Sequence, residues 1–343
     1  MRDAPHSFST PLWIGLTALI GAAVGAGCAA DAPDAHVAPD ATSTPIPAQT
    51  SAALDATESA NLDVASKVAD LAAGRCPTAR IFAPGVISTP ASEGRLVLTA
   101  DGQTAYFHRF LANENRLVVF ESRRDPRRDV WSEPVAASFS NTAFNDFDPF
   151  VTLDGKYIYF SSDRPTDGGS TARPDWEIWR APRTRTGWGA PVHLGPEVNT
   201  PDNELFPSTT DDGTLYFNSD RQGGFGAWDI YHARRKGSGF EPAVNAGPGI
   251  NTANWEFNPM PSPDGRFIFF GSIGRTDSFG GADIYTSVKR DGQWLPSKNA
   301  GPCINTAQEE FHPSFAWARG SLLFVRSATP EDQGDAYELT FGR

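Results

Sequence analysis

Basic residues are scarce in this chain: 29 Lys and Arg stand against 41 Asp and Glu, a net charge of −12, and they gather into no basic face. Without that footprint nothing would hold a phosphate backbone, so nucleic acid is excluded as a partner. Long apolar runs are also missing. The one extended run, residues 12–24, is too short and too glycine-rich to cross a bilayer. No Gly-x-Ser-x-Gly elbow serves a serine hydrolase, and no glycine-rich phosphate loop serves a nucleotide. Cysteine is limited to Cys28, Cys76 and Cys303. Glycine (32), proline (28) and aromatic residues (11 %) are plentiful, the profile of many short strands joined by tight turns.

Residues 1–27 read as a signal peptide, with Arg2 ahead of the apolar run and small residues at its end. Gly25-Ala26-Gly27-Cys28 resembles a bacterial lipobox, which implies cleavage before Cys28 and its lipidation, although Gly25 stands where that pattern usually has Leu. Lipid chains would hold the protein on a membrane without spanning it. The alternative is a plain signal peptide cleaved nearby. Residues 28–74 shift to Ala, Asp, Pro, Thr and Ser. Within 29–74, seven acidic residues against one basic give −6, with few large apolar side chains. Such a tract cannot bury enough surface to offset its ordering entropy and reads as a solvated tether.

One unit then recurs. It is plainest at residues 199–231, and further copies begin at Asn141, Asn251 and Asn305. Asp-Gly pairs at Asp101-Gly102, Asp154-Gly155, Asp212-Gly213 and Asp264-Gly265 are spaced 52 to 58 residues apart, with Arg319-Gly320 in the fifth place. Each lies between two runs of strand character, a strong hairpin signal. A third run follows (176–180, 229–233, 283–287), then an aromatic and a proline read as a fourth strand: Trp131 and Pro134, Trp188 and Pro191, Phe240 and Pro242, Trp294 and Pro296. Four strands per repeat make a β-propeller blade.

The unit Asn-Thr…Glu-Phe-x-Pro…Asp-Gly…Tyr-Phe-x-Ser…Gly-x-x-Asp-Ile-Tyr…Trp-x-x-Pro resembles the WD40-like (Pro-Asp-Gly type) repeat of TolB-type propellers, which also occurs in bacterial envelope lipoproteins. That resemblance implies a periplasmic or cell-surface location, most simply as an outer-membrane lipoprotein, and a binding role. The last copy stops before a fourth strand, whereas Phe82-Ala83-Pro84 with Ser88-Thr89 reads like that missing strand and its turn. Closure by this N-terminal strand removes an open sheet edge. The expectation is an all-β propeller over 75–343 with five four-stranded blades, six being the alternative.

A carboxylate recurs three residues before the repeat proline: Asp146, Glu204, Glu256 and Glu310, with Glu93 at the same register in the first copy. Three readings stand. Each acid accepts hydrogen bonds from its own Asn-Thr loop; or the five ring a channel mouth and bind Ca²⁺ or a cationic ligand; or two of them act as glycosidase acids, which needs two different environments. A second repeated acid (Glu177, Asp229, Asp283, Asp335) reads as a turn staple, and the Ser-Asp-Arg triplets at 162–164 and 219–221 as inter-blade ion pairs. The in-frame aromatics Trp131, Trp188, Phe240 and Trp294 read as packing between blades. His312 occupies the register of Asp148, Phe206 and Asn258 and so joins the mouth candidates. His108, His193 and His232 fall in unrelated frames, which argues against a three-His metal site; each reads as a surface histidine. Cys76 and Cys303 are the remaining thiols, and one disulfide suits an exported chain. They lie at opposite strand ends with 76–80 to span the gap, so the pairing stays open.

The functional expectation is a non-enzymatic binding or scaffold propeller of the cell envelope. It is monomeric, held to the membrane through Cys28, and offers loops and a channel mouth to a protein or glycan. No cofactor is expected beyond Ca²⁺ on the acid ring. The rival is a five-bladed glycoside hydrolase using the inner-strand acids.

Overall fold

The computed structural model describes residues 76–328 and 334–341. The signal peptide, Cys28 and the acidic tract to residue 74 lie outside the described residues. Five antiparallel sheets follow one another in chain order, and each innermost strand packs against those of its neighbours, including the last against the first. This is a five-bladed propeller. Blade 1 is built from Ser92–Leu98, Thr104–Leu111 and Arg116–Asp125, with Val130–Trp131 and Val135–Ala136 on its outer side. Blade 2 is Asp146–Val151, Tyr157–Ser162, Glu177–Pro182 and Val192–His193; blade 3 is Glu204–Thr209, Leu215–Ser219, Asp229–Ala233 and Val244–Asn245. Blade 4 is Trp255–Pro261, Phe267–Ile273 and Ala282–Arg290, flanked by Gln293–Trp294 and Lys298–Asn299. Blade 5 is Glu309–Ala316, Ser321–Ser327 and Asp335–Thr340.

The N-terminal strand closes the ring as expected, but it is Arg80–Ile81, just ahead of Phe82-Ala83-Pro84, that completes blade 5, with Arg80 opposite Glu338 and Ile81 opposite Tyr337. Ser88 and Thr89 then take the part of the Asn-Thr turn. Ser88 Oγ bonds the Ala336 backbone (3.2 and 3.3 Å), as Asn251 bonds Ile230 and Asn305 bonds Ile284 in the blades before. The disulfide left open above forms: Cys76 joins Cys303 across 227 residues, with Cα atoms 4.9 Å apart.

Four inner hairpins turn at an Asp-Gly pair, and the fifth turns at Arg319-Gly320. The aspartate accepts from a Thr or Ser hydroxyl two residues earlier and from the amide two residues later, as Asp154 does from Thr152 Oγ1 (2.7 Å) and Lys156 N (3.0 Å). The glycine supplies the left-handed φ of 59 to 82° needed in all five blades. The second strands form the core, with Phe107, Phe160, Phe217, Phe270 and Phe324 in one register and each at most 1 % exposed. Burying each such ring contributes about 1.5–3 kcal/mol.

The fourth strands of the other blades also differ from expectation. The aromatic-proline segment is not the fourth strand itself. Its aromatic lies on a short return segment paired with the end of the third strand or just beyond it (Trp131 with Arg124, Trp188 with Arg183, Phe240 with Arg235, Trp294 with Lys289), and the fourth pairing begins after the proline, at Val135, Val192, Val244 and Lys298. Proline has no N–H to donate, so pairing resumes beyond it. The aromatics do pack between blades: Trp188 against Tyr106 (5.8 Å), Trp294 against Tyr216 (6.3 Å) and Trp131 against Phe82 (5.4 Å).

Candidate functional site

The five inner-strand acids are buried, each no more than 1 % exposed. In four blades a threonine presents its amide and hydroxyl to the carboxylate: Thr89 to Glu93, Thr200 to Glu204, Thr252 to Glu256 and Thr306 to Glu310, at 2.6–3.1 Å. An arginine of the same blade completes the set, namely Arg109, Arg164, Arg221, Arg275 or Arg326. Its guanidinium also lies over the blade's core phenylalanine, at 4.9–5.4 Å. Burial pushes the Glu93, Asp146 and Glu204 carboxyls up, and the hydrogen bonds and arginines pull against it. Each of these acids is thus tied inside its own blade.

The Ser-Asp-Arg triplets prove to be one form of this unit, and their ion pairs run within a blade rather than between blades. Antiparallel pairing sets Glu204 opposite Ser219, so Arg221, two residues on, folds back onto the same carboxylate. Blades 1 and 5 reach the same point by placing Arg109 and Arg326 directly opposite the acid. Of the second repeated acids, Asp229 and Asp283 do staple their loops, accepting from two successive amides at 2.5–3.1 Å. Glu177 instead faces Arg173 and His193, each at 3.1 Å.

Two residues beyond the acid every inner strand carries a bulge. There Asp148, Phe206, Asn258 and His312 adopt left-handed φ of 52–58°, uncommon for any residue other than glycine and here part of the bulge itself. In blade 1 the corresponding residue is Arg95, whose guanidinium crosses to the carbonyls of Pro207 (2.8 Å) and Pro259 (3.3 Å) on blades 3 and 4. The propeller axis is thus lined by one residue from each blade.

His108 joins them. At its register the other second strands have Ser161, Asn218, Gly271 and Val325, and opposite these stand Phe147, Leu205, Phe257 and Phe311. Blade 1 inverts the arrangement: Gly94 replaces the large residue, and His108 fills its space so closely that a Cβ on Gly94 would lie 1.8 Å from Nε2. His108 is therefore 2 % exposed, not on the surface, because the missing side chain opens the way to the axis. Its ring lies 5.7 Å from that of His312, and its Nδ1 accepts the Asp148 amide at 3.1 Å.

Asp148 Oδ1 lies 3.5 Å from His108 Nδ1 and 3.8 Å from His312 Nδ1. Neither Asp148 oxygen and not His312 Nδ1 has a hydrogen-bond partner among the described residues; Arg95 Nε and Asn258 Nδ2 are likewise unmatched. Burial, reinforced by the Arg95 charge, holds the His108 imidazole down to about 3 and His312 well below its ordinary value. Burial pushes Asp148 well up, and Arg95 pulls it back. Neutral imidazoles beside a carboxylate make a donor set for a cation or a polar guest, and this is the one trio of His, Cys, Asp or Glu groups among the described residues near enough to share an ion.

Of the channel candidates, then, only His312 faces the axis with unmatched valence. Arg95, His108 and Asp148 were not singled out from the sequence. The available signal was the exception to the repeat, Gly94 paired with His108. Among the other histidines, His193 is half-buried against Trp179. His232 lines a mixed-charge cleft of about 520 Å³ with Asp212, Tyr216, Arg234, Arg266 and Lys289.

No protein-family model matches the sequence, and no curated protein matches it. Solved structures similar to it include a TolB-type protein of Agrobacterium tumefaciens (17 % identical, 75 % of this chain and 78 % of that one, TM-score 0.43). They also include an α-L-arabinofuranosidase of Lactobacillus brevis (13 %, 75 % and 91 %, 0.49) and an endo-arabinase of Bacteroides thetaiotaomicron (15 %, 75 % and 97 %, 0.49). A propeller fold by itself does not choose between binding and catalysis.

Proposed function

We propose that the chain is a non-enzymatic, TolB-like binding propeller of the bacterial envelope, built from WD40-like repeats and held to the membrane through Cys28. The observation that carries this reading is the state of the five acids. A glycosidase needs two carboxyl groups facing one substrate in different environments, whereas Glu93, Asp146, Glu204, Glu256 and Glu310 are each bonded to an arginine of their own blade. At the axis the bulge ring contributes a single carboxylate, Asp148.

Two further observations agree. The Cys76–Cys303 bridge suits an exported protein. Phe225 and Phe279 occupy equivalent loops of blades 3 and 4, 51 % and 49 % exposed, on backbone fixed by Asp229 and Asp283. Exposed aromatics on rigid loops suit the anchoring of a protein or glycan partner.

The test is capture from envelope fractions with the full chain as bait, beside Phe225→Ser/Phe279→Ser. The expected result is a discrete partner retained by the wild type and weakened in the variant. Failure to retain any specific partner would count against the proposal.

A further inference from the structure

Three features meet at the axis. The donors are of mixed type, two imidazole nitrogens and a carboxylate. They are buried, with Asp148 at 0 %, His108 at 2 % and His312 at 5 % exposure. Both Asp148 oxygens and His312 Nδ1 lack a hydrogen-bond partner among the described residues, a costly condition for buried polar atoms unless something satisfies them.

We propose that the propeller axis is a binding site for a divalent transition metal of the Zn²⁺ class, held by His108 Nδ1, Asp148 and His312 Nδ1. The distances fit. Ligand atoms about 2.0–2.2 Å from a tetrahedral Zn²⁺ lie roughly 3.4 Å from one another. Here the imidazole nitrogens are 3.5 and 3.8 Å from Asp148 Oδ1, and all three ligand atoms fall within 4.8 Å. Imidazole nitrogens select Zn²⁺ and its neighbours over Ca²⁺ or Mg²⁺, which prefer all-oxygen shells. Binding exchanges one hydrogen bond, from the Asp148 amide to His108 Nδ1, for a coordinate bond. It also leaves a position for water or for a donor atom of a guest in the channel. The opposing charge, Arg95, is drawn toward blades 3 and 4 by the Pro207 and Pro259 carbonyls, whereas the ligands come from blades 5, 1 and 2. Those blades are consecutive across the seam where the N-terminal strand closes the ring, so the ion would clasp that seam.

The site is independent of the binding role. A partner can be captured without the metal, and the metal can bind without a partner. The test takes chelator-stripped full-length protein, titrates it with Zn²⁺ by calorimetry, and measures bound metal by mass spectrometry. The expected result is one equivalent per chain and a raised melting temperature with Zn²⁺. Asp148→Asn and His312→Gln should each weaken binding by more than about 100-fold, since losing even an outer-shell partner costs about 10–100-fold; His232→Gln should leave it unchanged. Should the axial variants fail to fold, Co²⁺ added to the stripped wild type replaces them, and visible ligand-field bands that Zn²⁺ abolishes are expected. Any of four results overturns the proposal: no stoichiometric metal, no Co²⁺ bands, a preference for Ca²⁺, or undiminished Zn²⁺ binding in both axial variants.

Discussion

Replacing Glu256 by Gln keeps the shape of the side chain and removes its charge. Glu256 is fully buried, and every partner it has is a donor: the Thr252 amide (2.7 Å) and hydroxyl (2.7 Å), the Ser272 hydroxyl (3.1 Å) and Arg275 Nη2 (2.9 Å). A carboxamide must turn its NH₂ toward one of these donors, and whichever way it turns, a hydrogen bond to a charged acceptor becomes a donor–donor clash. Arg275, only 10 % exposed in its side chain, keeps the Ile250 carbonyl and the Ser272 and Ser297 hydroxyls but loses its counter-charge. Breaking a buried pair from one side costs about 3–5 kcal/mol, which for a domain of this size is a fall in melting temperature of roughly 6 to 20 °C. Thermal unfolding followed by circular dichroism measures it. Glu256→Gln/Arg275→Met should recover part of the loss, because the orphaned cation goes too. A single variant melting within about a degree of the wild type would refute the argument that these acids are structural.

Reducing the Cys76–Cys303 bridge removes a constraint on a 227-residue loop, worth up to about 5 kcal/mol in the chain-entropy model; melting with and without reductant reads this out, and equal curves would show that the bridge adds nothing. Gly94→Phe alone should unfold or strongly destabilise the protein, since even a Cβ would meet His108 Nε2 at 1.8 Å, whereas Gly94→Phe/His108→Gly copies the Phe257–Gly271 pair of blade 4 and should regain most of the stability. Persistent instability of the double variant would show that the two registers are not equivalent. Burial works against ionisation of Asp154, but hydrogen bonds from Lys156 and Thr152 outweigh it and hold the carboxyl down to about 2. A depressed folded value means stability that is present above about pH 4 and lost as pH falls toward 2. The difference between wild type and Asp154→Asn should therefore be full at pH 6 and shrink between pH 4 and 2; a difference independent of pH would contradict the assignment.

The blade plan was legible because it is written several times. Asp-Gly turns, second-strand phenylalanines and the Asn-Thr…Glu spacing recur in frame, and local turn chemistry fixes each copy without help from the others. Ring closure was legible for the same reason: Ser88-Thr89 keeps the function of Asn-Thr, and Thr89 meets Glu93 as Thr200 meets Glu204. The arginines were harder to read. Arg109 and Arg221 reach the same carboxylate position from different registers, and only the folded blade makes them equivalent. The axial cluster was hidden more deeply, since His108, Asp148 and His312 are 40 to 204 residues apart in sequence. They meet because bulges at one register turn side chains toward the axis and because Gly94 leaves space for an imidazole. The repeat is made of rules, whereas this site is made of exceptions.

The central claim, that this propeller binds without catalysing, is tested most directly by assaying the full-length protein and Glu204→Gln side by side against arabinan-type and other envelope or plant glycans, with product release measured by chromatography. The account predicts no product from either protein and a lower melting temperature for the variant. Product released by the wild type and lost in a Glu204→Gln protein of unchanged stability would contradict it.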